Sequence, residues 1–504
     1  MEKKTVEYLI IFLIILFVTS LILTLSFINP SGYMSGDSYN YLRLSGRIIE
    51  GHGFFLPSDG RDGAVEKWFA IWPVGYPVLI SAVAFTLGVS TFLASKILNI
   101  LLISTAILSL YTVLGRKGLI ASFILLTASS FRNYTMTWSE APFITSLIIL
   151  CLFLGKIINK DFKLNNQYLI ILFILLILPF LFRYVGLFVV APTCLVAIYL
   201  FFQGRKRESF LTLIVTSFSI IFCIIYLINN FQLTGYATGM ARPPTDEENQ
   251  FLLINLIKSI LQEFILILPS WDTKNLIQNI VVGAWLLFSI FLLFIISKNT
   301  RKVSNTSNVN SFSNLFMIFG LIYLCAIILL RWTSNFSHLG FTHRLLSPGF
   351  SLFFIGLFIW FLDKNKNRYN PVIIFAFITV LLVGLGNLYS SISKHGFNVN
   401  FLIHIDKMKK IYAKLPDSAV VIFGERELKY LRPNIKIAYP KIMTESNYNE
   451  TWNEFLFNLE DTASIFIETR EQSKEYDIYH ESVGIAIKAL PKNKVLQIRK
   501  SLKK

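Results

Sequence analysis

The chain has 504 residues, of which 54% are hydrophobic and 15% are charged, whereas soluble globular proteins average about 45–50% and about 25%. A single soluble core cannot absorb this surplus of apolar residues, so the composition indicates an integral membrane protein. Lysine and arginine exceed aspartate and glutamate by 47 to 30, but they are spread over short loops instead of forming one basic patch, which argues against a nucleic-acid partner.

Apolar runs divide most of the chain. We predict that eleven of them are transmembrane helices, since each is long enough to cross about 30 Å of hydrocarbon. In chain order they cover residues 8–28, 92–114, 118–134, 141–157, 167–182, 184–203, 209–228, 278–297, 312–330, 346–362 and 371–390. A shorter run at 76–89 has the length of a re-entrant or interfacial helix. The helix near 250–268 keeps Ser259 and Glu263 on one polar stripe, which favours an interfacial helix, with a twelfth span as the alternative.

Basic residues recur at every second turn between these runs. They are Lys3 and Lys4, Arg116 and Lys117, Lys156 with Lys160 and Lys163, Arg205 to Arg207, Lys298 with Arg301 and Lys302, and Lys364 with Lys366 and Arg368. Because basic loops stay in the cytoplasm, we predict a multi-pass protein of the plasma (inner) membrane with its N-terminus inside. The long loops 29–75 and 229–277 then face outward, as does everything after residue 390.

The last part of the chain has a different composition. Of the 114 residues from 391 to 504, 33 are charged, against 44 of the 390 before them. Helices are predicted near 402–414, 425–431 and 450–460, and strands near 419–423, 435–439, 463–468, 483–489 and 494–498. The predicted fold class is therefore an all-α polytopic membrane domain over residues 1–390, followed by a small extracytoplasmic soluble α/β domain over residues 391–504.

Two carboxylates are candidate catalytic groups at the predicted outer face. Asp37 follows the first span, where a carboxylate can accept a proton from a substrate hydroxyl. The alternative is that Asp37 caps a helix over 38–50, since aspartate is a preferred N-cap residue. Glu140, in Trp-Ser-Glu-Ala-Pro-Phe (138–143), stands at the mouth between two spans, and an ordinary solvated turn acid is its alternative.

Basic side chains at the same face are candidate phosphate ligands. The planar guanidinium groups of Arg183 and Arg344 suit a phosphate, and His343 lies beside the second of them. The alternative is that such side chains extend to lipid headgroups, which we expect for Arg331. His338 and His343 lack the helical spacing of a metal-binding pair, and no metal site is predicted.

Read in order, five segments resemble the polytopic GT-C glycosyltransferases. They are Asp37 in the first outer loop, Trp-Pro-Val-Gly-Tyr-Pro (72–77), Ser-Glu-Ala-Pro-Phe (139–143), Arg-Tyr-Val-Gly (183–186) and His-Arg-Leu-Leu-Ser-Pro (343–348). The likeness is to glycosyltransferase family 39, the branch of bacterial proteins similar to protein O-mannosyltransferases and to the aminoarabinose transferase of lipid A. It covers residues 8–390. Ser38 and Val74 stand where several relatives have a second acid and a second proline.

The resemblance implies an inverting glycosyltransferase of the membrane. Its donor would be a polyprenyl-phosphate sugar and its acceptor a lipid, a glycan or a protein at the outer face. The family's catalytic acid falls on Asp37, with Glu140 as a second catalytic candidate, and we predict that Arg183, His343 and Arg344 bind the donor phosphate. No cofactor is expected; a divalent metal is the alternative, which the sequence does not support because the paired acids of several relatives are absent. The alternatives are a lipid or solute transporter and an O-antigen-type polymerase or ligase.

Overall fold

The computed structural model describes residues 3–57, 66–159, 162–240, 249–264, 310–333, 343–364, 386, 389, 391–393, 396, 398–413, 415–416, 420–422, 426–438, 465–469 and 486–489. The chain divides into two compact units. The first comprises Met1–Ser26, Ile71–Tyr76 and Lys96–Phe397, and the second comprises Phe27–Ala70, Pro77–Ser95 and Asn398–Lys504.

Helices account for most of the described chain. They are α1 (Lys3–Ile28), α2 (Gly36–Ile49), α3 (Gly75–Leu87), α4 (Thr91–Leu114), α5 (Arg116–Ala121), α6 (Ala128–Thr135), α7 (Glu140–Ile158), α8 (Asn166–Phe182), α9 (Val190–Phe202), α10 (Lys206–Thr234), α11 (Asn249–Phe264), α12 (Asn310–Thr333), α13 (His343–Lys364), α14 (Asn400–Tyr412) and α15 (Arg426–Leu431). Short 3-10 helices cover Ser122–Leu126 and Tyr184–Val189. The strands are β1 (Phe55–Pro57), β2 (Glu66–Trp68), β3 (Val420–Ile422), β4 (Lys436–Ala438), β5 (Ile465–Thr469) and β6 (Ala486–Ala489).

Seven described helical segments are long and apolar enough to cross a membrane, and each coincides with a predicted span. They are Thr5–Ile28, Thr91–Leu114, Glu140–Ile158, Tyr184–Phe202, Lys206–Thr234, Ser311–Thr333 and Arg344–Asp363. The predicted span 167–182 corresponds to the shorter apolar helix α8. The predicted span 278–297 and almost all of 371–390 lie outside the described residues, so the total of eleven stays a prediction.

The predicted span 118–134 is not one helix. It consists of α5, a 3-10 turn and α6. Lys117 forms an ion pair with Asp363 at the last turn of α13, whereas Asn133 donates to the Ser347 hydroxyl in the first turns of that helix. The segment therefore runs antiparallel along α13 in short pieces.

Side-chain hydroxyls explain the break in this segment. Ser122 donates to the carbonyl oxygen of Leu119 at 2.7 Å, and Thr127 donates to that of Ile124 at 2.7 Å. Such bonds compete with the backbone ladder of a helix. Thr127 is extended, with φ −68° and ψ 156°, and α6 begins after it. Hydropathy alone does not register these local bonds.

The turns predicted to face the cytoplasm are held by arginines. Arg205 donates to the carbonyl oxygens of Ile157, Ile158 and Asn159 at 2.7–3.2 Å, and to that of Phe162 at 2.8 Å. It thereby ties the end of α9 to the loop between α7 and α8. At the beginning of α5, Arg116 contacts the Glu7 carboxylate of α1 at 3.2 Å. Both arginines stand in predicted cytoplasmic clusters.

Helix α11 buries its polar stripe. Ser259 and Glu263 are buried, whereas Leu253, Ile254 and Ile257 are exposed. The Glu263 carboxylate accepts a hydrogen bond from Ser129 at 2.8 Å. The polar stripe therefore faces protein, where Glu263 has a hydrogen-bond partner, and the exposed face of the helix is apolar. Burial raises the pKa of Glu263 from its ordinary 4.5 to about 8, although the Ser129 bond opposes the shift.

In the second unit, residues after 398 form a small sheet with helices. The strand order is β4-β3-β5-β6, with β3 parallel to both β4 and β5, and β5 antiparallel to β6. A buried apolar cluster joins α14, β3, α15 and β4: Met408, Tyr412, Leu415, Val421, Leu428, Ile435 and Ile437. These elements lie where the sequence predicts them, and the predicted helix 450–460 and strand 494–498 lie outside the described residues.

The second unit also contains most of the first outer loop. Phe401 stacks on Phe92 with ring centroids 4.0 Å apart, and Asn400 donates to the carbonyl oxygen of Ile28 at 3.1 Å. Gly32 has φ +59°, and a Cβ there would lie 2.7–2.8 Å from both rings, so this contact requires glycine. In this part of the chain the unit begins at Asn398. A separate domain of residues 391–504 stays a prediction.

The raised pKa of Glu263 gives the packing of α11 a pH dependence. The folded state favours the protonated carboxyl, so its contribution to stability is complete below pH 4.5 and is lost as the pH rises to about 8. In detergent, the unfolding temperature of the wild type relative to Glu263→Gln should fall across this window and stay constant above it. Ser129→Ala, which removes the opposing hydrogen bond, should move the upper end to higher pH. Parallel curves for wild type and Glu263→Gln would contradict this.

Candidate active site

Asp37 lies in the first turn of α2, and its side chain is half-buried. The N-cap of this helix is Ser35, which has extended backbone and forms a capping box with Ser38; the Ser35 N–H donates to Ser38 Oγ at 2.9 Å. The interpretation of Asp37 as the cap of a helix over 38–50 is therefore wrong. The two serines bond the backbone N–H groups of the N-cap and N3 positions, and Asp37 lies between them in the first turn. A negative charge in the first turn is favourable beside the helix N-terminus.

Glu140 is the first residue of α7, and its side chain is fully buried between two arginines of the first unit. Arg344 donates from Nε to Glu140 Oε1 at 2.5 Å and from Nη2 to Oε2 at 3.3 Å. Arg183 donates from Nη1 to the same Oε1. Glu140 is therefore not a solvated turn acid. The three side chains, which we call the Glu140 cluster, carry a net charge of +1 when all are ionised.

The segment Arg-Tyr-Val-Gly (183–186) forms a tight turn between α8 and the next 3-10 helix, and this turn positions Arg183. Helix α8 ends where the Arg183 N–H donates to the carbonyl oxygen of Pro179 at 2.9 Å, and Arg183 itself is extended. The following 3-10 turn brings Gly186 against the Pro179 backbone, where a Cβ would lie 2.2 Å from the carbonyl carbon. A side chain at 186 cannot fit without moving this turn, and with it Arg183.

Aromatic rings complete the surroundings of the Glu140 cluster. The Arg344 guanidinium lies over the Trp138 ring, 4.4 Å from its centroid, and the Arg183 guanidinium lies 5.9 Å from that of Phe143. Tyr323 packs against Phe143 with centroids 5.7 Å apart and donates to the carbonyl oxygen of Leu345 at 2.9 Å. Cation–π contacts strengthen when they are desolvated. Trp138 and Phe143 flank Glu140 in the motif, but sequence reasoning did not give them a role.

Two buried polar residues of α4 hold the turn before Glu140. Lys96 donates to the carbonyl oxygen of Thr135 at 2.8 Å. Asn99 donates to those of Tyr134 and Met136 at 2.9 and 2.8 Å, and it accepts a bond from the Tyr76 hydroxyl at 3.0 Å. Three successive carbonyls are thus fixed before the Ser-Glu-Ala-Pro-Phe motif. Sequence reasoning missed both residues, although a lysine within a predicted span was a usable signal.

The other basic residues predicted at the outer face are two histidines and Arg331. His343 begins α13, and its side chain lies outside what the structure describes; His338 lies outside the described residues altogether. Arg331 is fully buried in α12, so the expected contact with lipid headgroups is wrong. In the described part of the chain, no group of three His, Cys, Asp or Glu side chains is arranged to hold a metal ion. The absence of a metal cofactor stays a prediction.

No protein-family model and no curated protein matches the sequence. Solved structures do match. The oligosaccharyltransferase of Archaeoglobus fulgidus tethered to an acceptor peptide gives a TM-score of 0.50 at 12% identity, over 91% of this chain and 69% of that chain. The same archaeal protein, AglB, in complex with an inhibitory peptide and a dolichol-phosphate gives 0.50 at 12% identity, over 93% and 70%.

A bacterial structure is also similar to this chain. ArnT from Cupriavidus metallidurans bound to undecaprenyl phosphate gives a TM-score of 0.49 at 10% identity, over 90% of this chain and 93% of that chain. The match to the archaeal enzyme extends over nearly the whole chain. The protein thus has the fold of the GT-C membrane glycosyltransferases, as the order of its motifs predicts.

Removing the Glu140 charge should destabilise the first unit. Glu140→Gln leaves two guanidiniums side by side with no carboxylate between them, and breaking a buried ion pair costs about 3–5 kcal/mol. We expect a clear fall in the unfolding temperature of the purified protein. The matched control is Glu208→Gln, because Glu208 contacts Arg205 at 3.6 Å in a more exposed pair, which contributes at most about 1 kcal/mol. Equal unfolding temperatures for the two variants would contradict the buried cluster.

Proposed function

We propose that this protein transfers a sugar from a polyprenyl-phosphate donor to an acceptor at the outer face of the plasma membrane, with inversion at the anomeric carbon. The Glu140 cluster is the observation that carries the proposal, because it keeps two guanidiniums in place with a net positive charge. The GT-C fold supports a glycosyltransferase, and the matched archaeal enzyme binds dolichol-phosphate, a lipid of the proposed donor class.

Arg183 and Arg344 bind the donor phosphate in this proposal, with His343 beside them. Guanidinium groups present paired N–H donors that match phosphate oxygens. A polyprenyl-phosphate sugar is a phosphodiester with one negative charge, which balances the net +1 of the Glu140 cluster. As the glycosidic bond to phosphate breaks, charge grows on the departing oxygen, and donors fixed beforehand stabilise that charge without reorganising.

Glu140 has a positioning role in this proposal. Its Oε1 accepts bonds from both arginines, and its Oε2 accepts a second bond from Arg344. Both carboxylate oxygens thus accept hydrogen bonds from the two guanidiniums. The contacts therefore favour a carboxylate that aims the two arginines over one that acts as an acid or base, and a catalytic role for Glu140 stays untested.

Asp37 is the general base. Its carboxylate removes the proton from the acceptor hydroxyl while that oxygen attacks the anomeric carbon. The carbon–oxygen bond to phosphate breaks with its electron pair on the phosphate, so polyprenyl phosphate leaves and the new glycosidic bond has inverted configuration. The half-buried position of Asp37 in the first turn of α2, where Ser35 and not Asp37 is the N-cap, supports this role.

Replacing Asp37 tests the catalytic role. Loss of a general base costs about 10²–10⁴-fold in rate, so Asp37→Asn should nearly abolish transfer while leaving the protein inserted and folded. Transfer is measured with purified protein and a panel of labelled polyprenyl-phosphate sugars. Ser35→Ala is the comparison variant, because it removes the N-cap, should cost about 0.5–2 kcal/mol of stability, and should lower transfer much less than Asp37→Asn does.

Two outcomes would count against this assignment. If Asp37→Asn transferred the sugar at the wild-type rate, Asp37 could not be the general base. The transporter alternative would be favoured if the protein moved the intact polyprenyl-phosphate sugar across a vesicle membrane while neither the wild type nor the variant transferred the sugar.

Replacing Arg344 tests the phosphate contact. If the guanidinium binds a desolvated phosphate, Arg344→Ala should weaken use of the donor by about 2–5 kcal/mol, seen as a higher donor KM and lower kcat/KM. Arg344→Lys keeps the positive charge but loses the paired N–H donors of the guanidinium. Its donor KM and kcat/KM should lie between those of the wild type and those of Arg344→Ala. Arg205→Lys, in the loop cluster of the same unit, is the control. An unchanged donor KM in Arg344→Ala would contradict the contact.

A further inference from the structure

We propose that residues 426–438 form a cradle that positions α2, and that Arg43 and Arg47 are the positioning residues that hold this helix for catalysis by Asp37. The proposal rests on the general-base role of Asp37 given above, and it assigns a task to the C-terminal part of the chain. All the contacts that carry it lie within the second unit.

Arg43 connects α2 to the C-terminal segment through backbone carbonyls. Its side chain is fully buried. The Nε atom donates to the carbonyl oxygen of Pro433 at 2.9 Å, and Nη2 donates to that of Ile435 at 2.7 Å. A buried guanidinium needs acceptors of this kind, because water is not available to replace them. The bonds therefore fix residues 433–435 against one side of α2.

Arg47 continues the connection one turn further along the helix, where residues four apart share a face. It is buried, donates from Nη1 to Asn434 Oδ1 at 2.5 Å, and donates from Nε to the carbonyl oxygen of Phe55 at 2.8 Å. It also forms an ion pair with Glu66 of β2. A single guanidinium thus joins α2 to the β1–β2 hairpin and to the C-terminal segment.

Polar pairs extend the contact over the whole helix. Near its beginning, the buried carboxylate of Glu427 accepts a bond from the Tyr39 hydroxyl at 3.3 Å and lies 3.2 Å from His404 Nε2. At its end, Asn434 donates to Glu50 at 2.9 Å. The interface therefore begins two residues after Asp37.

The contacts matter because α2 cannot fix its own position. It has 14 residues, and helices shorter than about 12–15 residues are marginal in isolation. Its placement depends on tertiary contacts, and both of its buried arginines and Tyr39 make theirs with residues 426–438. A displacement of a reacting group by about 1 Å can cost about 10²-fold in rate, so a loose cradle reduces turnover even if Asp37 itself is unchanged.

The test uses the full chain and compares Arg43→Ala with Arg205→Ala. Arg205 is the matched control, because it also binds several backbone carbonyls but lies in the first unit. We expect Arg43→Ala to lower kcat by about 10- to 100-fold, with an unchanged donor KM and an unchanged pH midpoint of kcat/KM. Amide hydrogen exchange of residues 36–49 should accelerate in this variant and not in Arg205→Ala. Arg43→Lys, which retains one donor to a carbonyl, should recover part of the rate.

A milder variant keeps the proposal testable if Arg43→Ala fails to insert. Asn434 is exposed, and Asn434→Ala removes one hydrogen-bond partner from each of Arg47 and Glu50 without emptying the interface. As in Arg43→Ala, kcat should fall and the amide hydrogen exchange of α2 should accelerate, each by a smaller factor. Wild-type kcat in inserted Arg43→Ala, or unchanged exchange of α2, would overturn the proposal.

The two proposals fail separately. If Asp37→Asn is inactive while Arg43→Ala has the wild-type kcat, the positioning role of residues 426–438 is wrong and the proposed function stands. If Asp37→Asn transfers normally, the base assignment fails, and the positioning role fails with it. Accelerated exchange in Arg43→Ala would then show only that the C-terminal segment holds the helix.

Discussion

A charge removed from water must be matched by opposite charge or by hydrogen-bond partners close to it, and this requirement organises the first unit. The Glu140 carboxylate is fully buried, and an isolated ion in such a place would cost several kcal/mol. Its two arginines come from the end of α8 and the beginning of α13, so one carboxylate joins three segments that are distant in the sequence. The tight turn at Gly186 and the carbonyls held by Lys96 and Asn99 support the same arrangement.

The protein uses arginines that are buried or half-buried in two chemically different ways. Arg183 and Arg344 share a carboxylate and retain a net positive charge between them. Arg43 and Arg205 bind mainly backbone carbonyls, which fixes loops and helices without binding a ligand. The first arrangement suits an anionic substrate, whereas the second suits a scaffold. The distinction depends on the partner and not on the residue type, so composition does not reveal it.

Hydropathy predicts the long spans well, because the length and polarity of a lipid-facing helix are constrained by the bilayer. It failed at 118–134, where hydroxyl groups bond the backbone and the apolar run breaks into short pieces. The order of motifs led to the GT-C fold, and Glu140, Arg183 and Arg344 proved to lie together. The cap of α2 was placed two residues too late, because serine and aspartate are both preferred N-cap residues and the sequence offers Ser35 as well as Asp37.

Arg43, Arg47 and Lys96 escaped notice for a common reason. A charged residue is usually expected at a surface, and its burial depends on carbonyl partners supplied by segments far along the chain. No local pattern encodes such a partner. Arg331 was likewise expected at the membrane surface, in contact with lipid headgroups, and is fully buried.

The net charge of the Glu140 cluster has a consequence for the end of the reaction under the proposed function. The donor is a phosphodiester with one negative charge, but the departing lipid is a phosphomonoester, which carries about −1.5 to −2 at neutral pH. A cluster of charge +1 attracts this product more strongly than the donor it replaces. Product release then opposes turnover, and the spent carrier lipid is a natural competitive inhibitor whose hold on the enzyme weakens as its phosphate takes up a proton in mildly acidic surroundings.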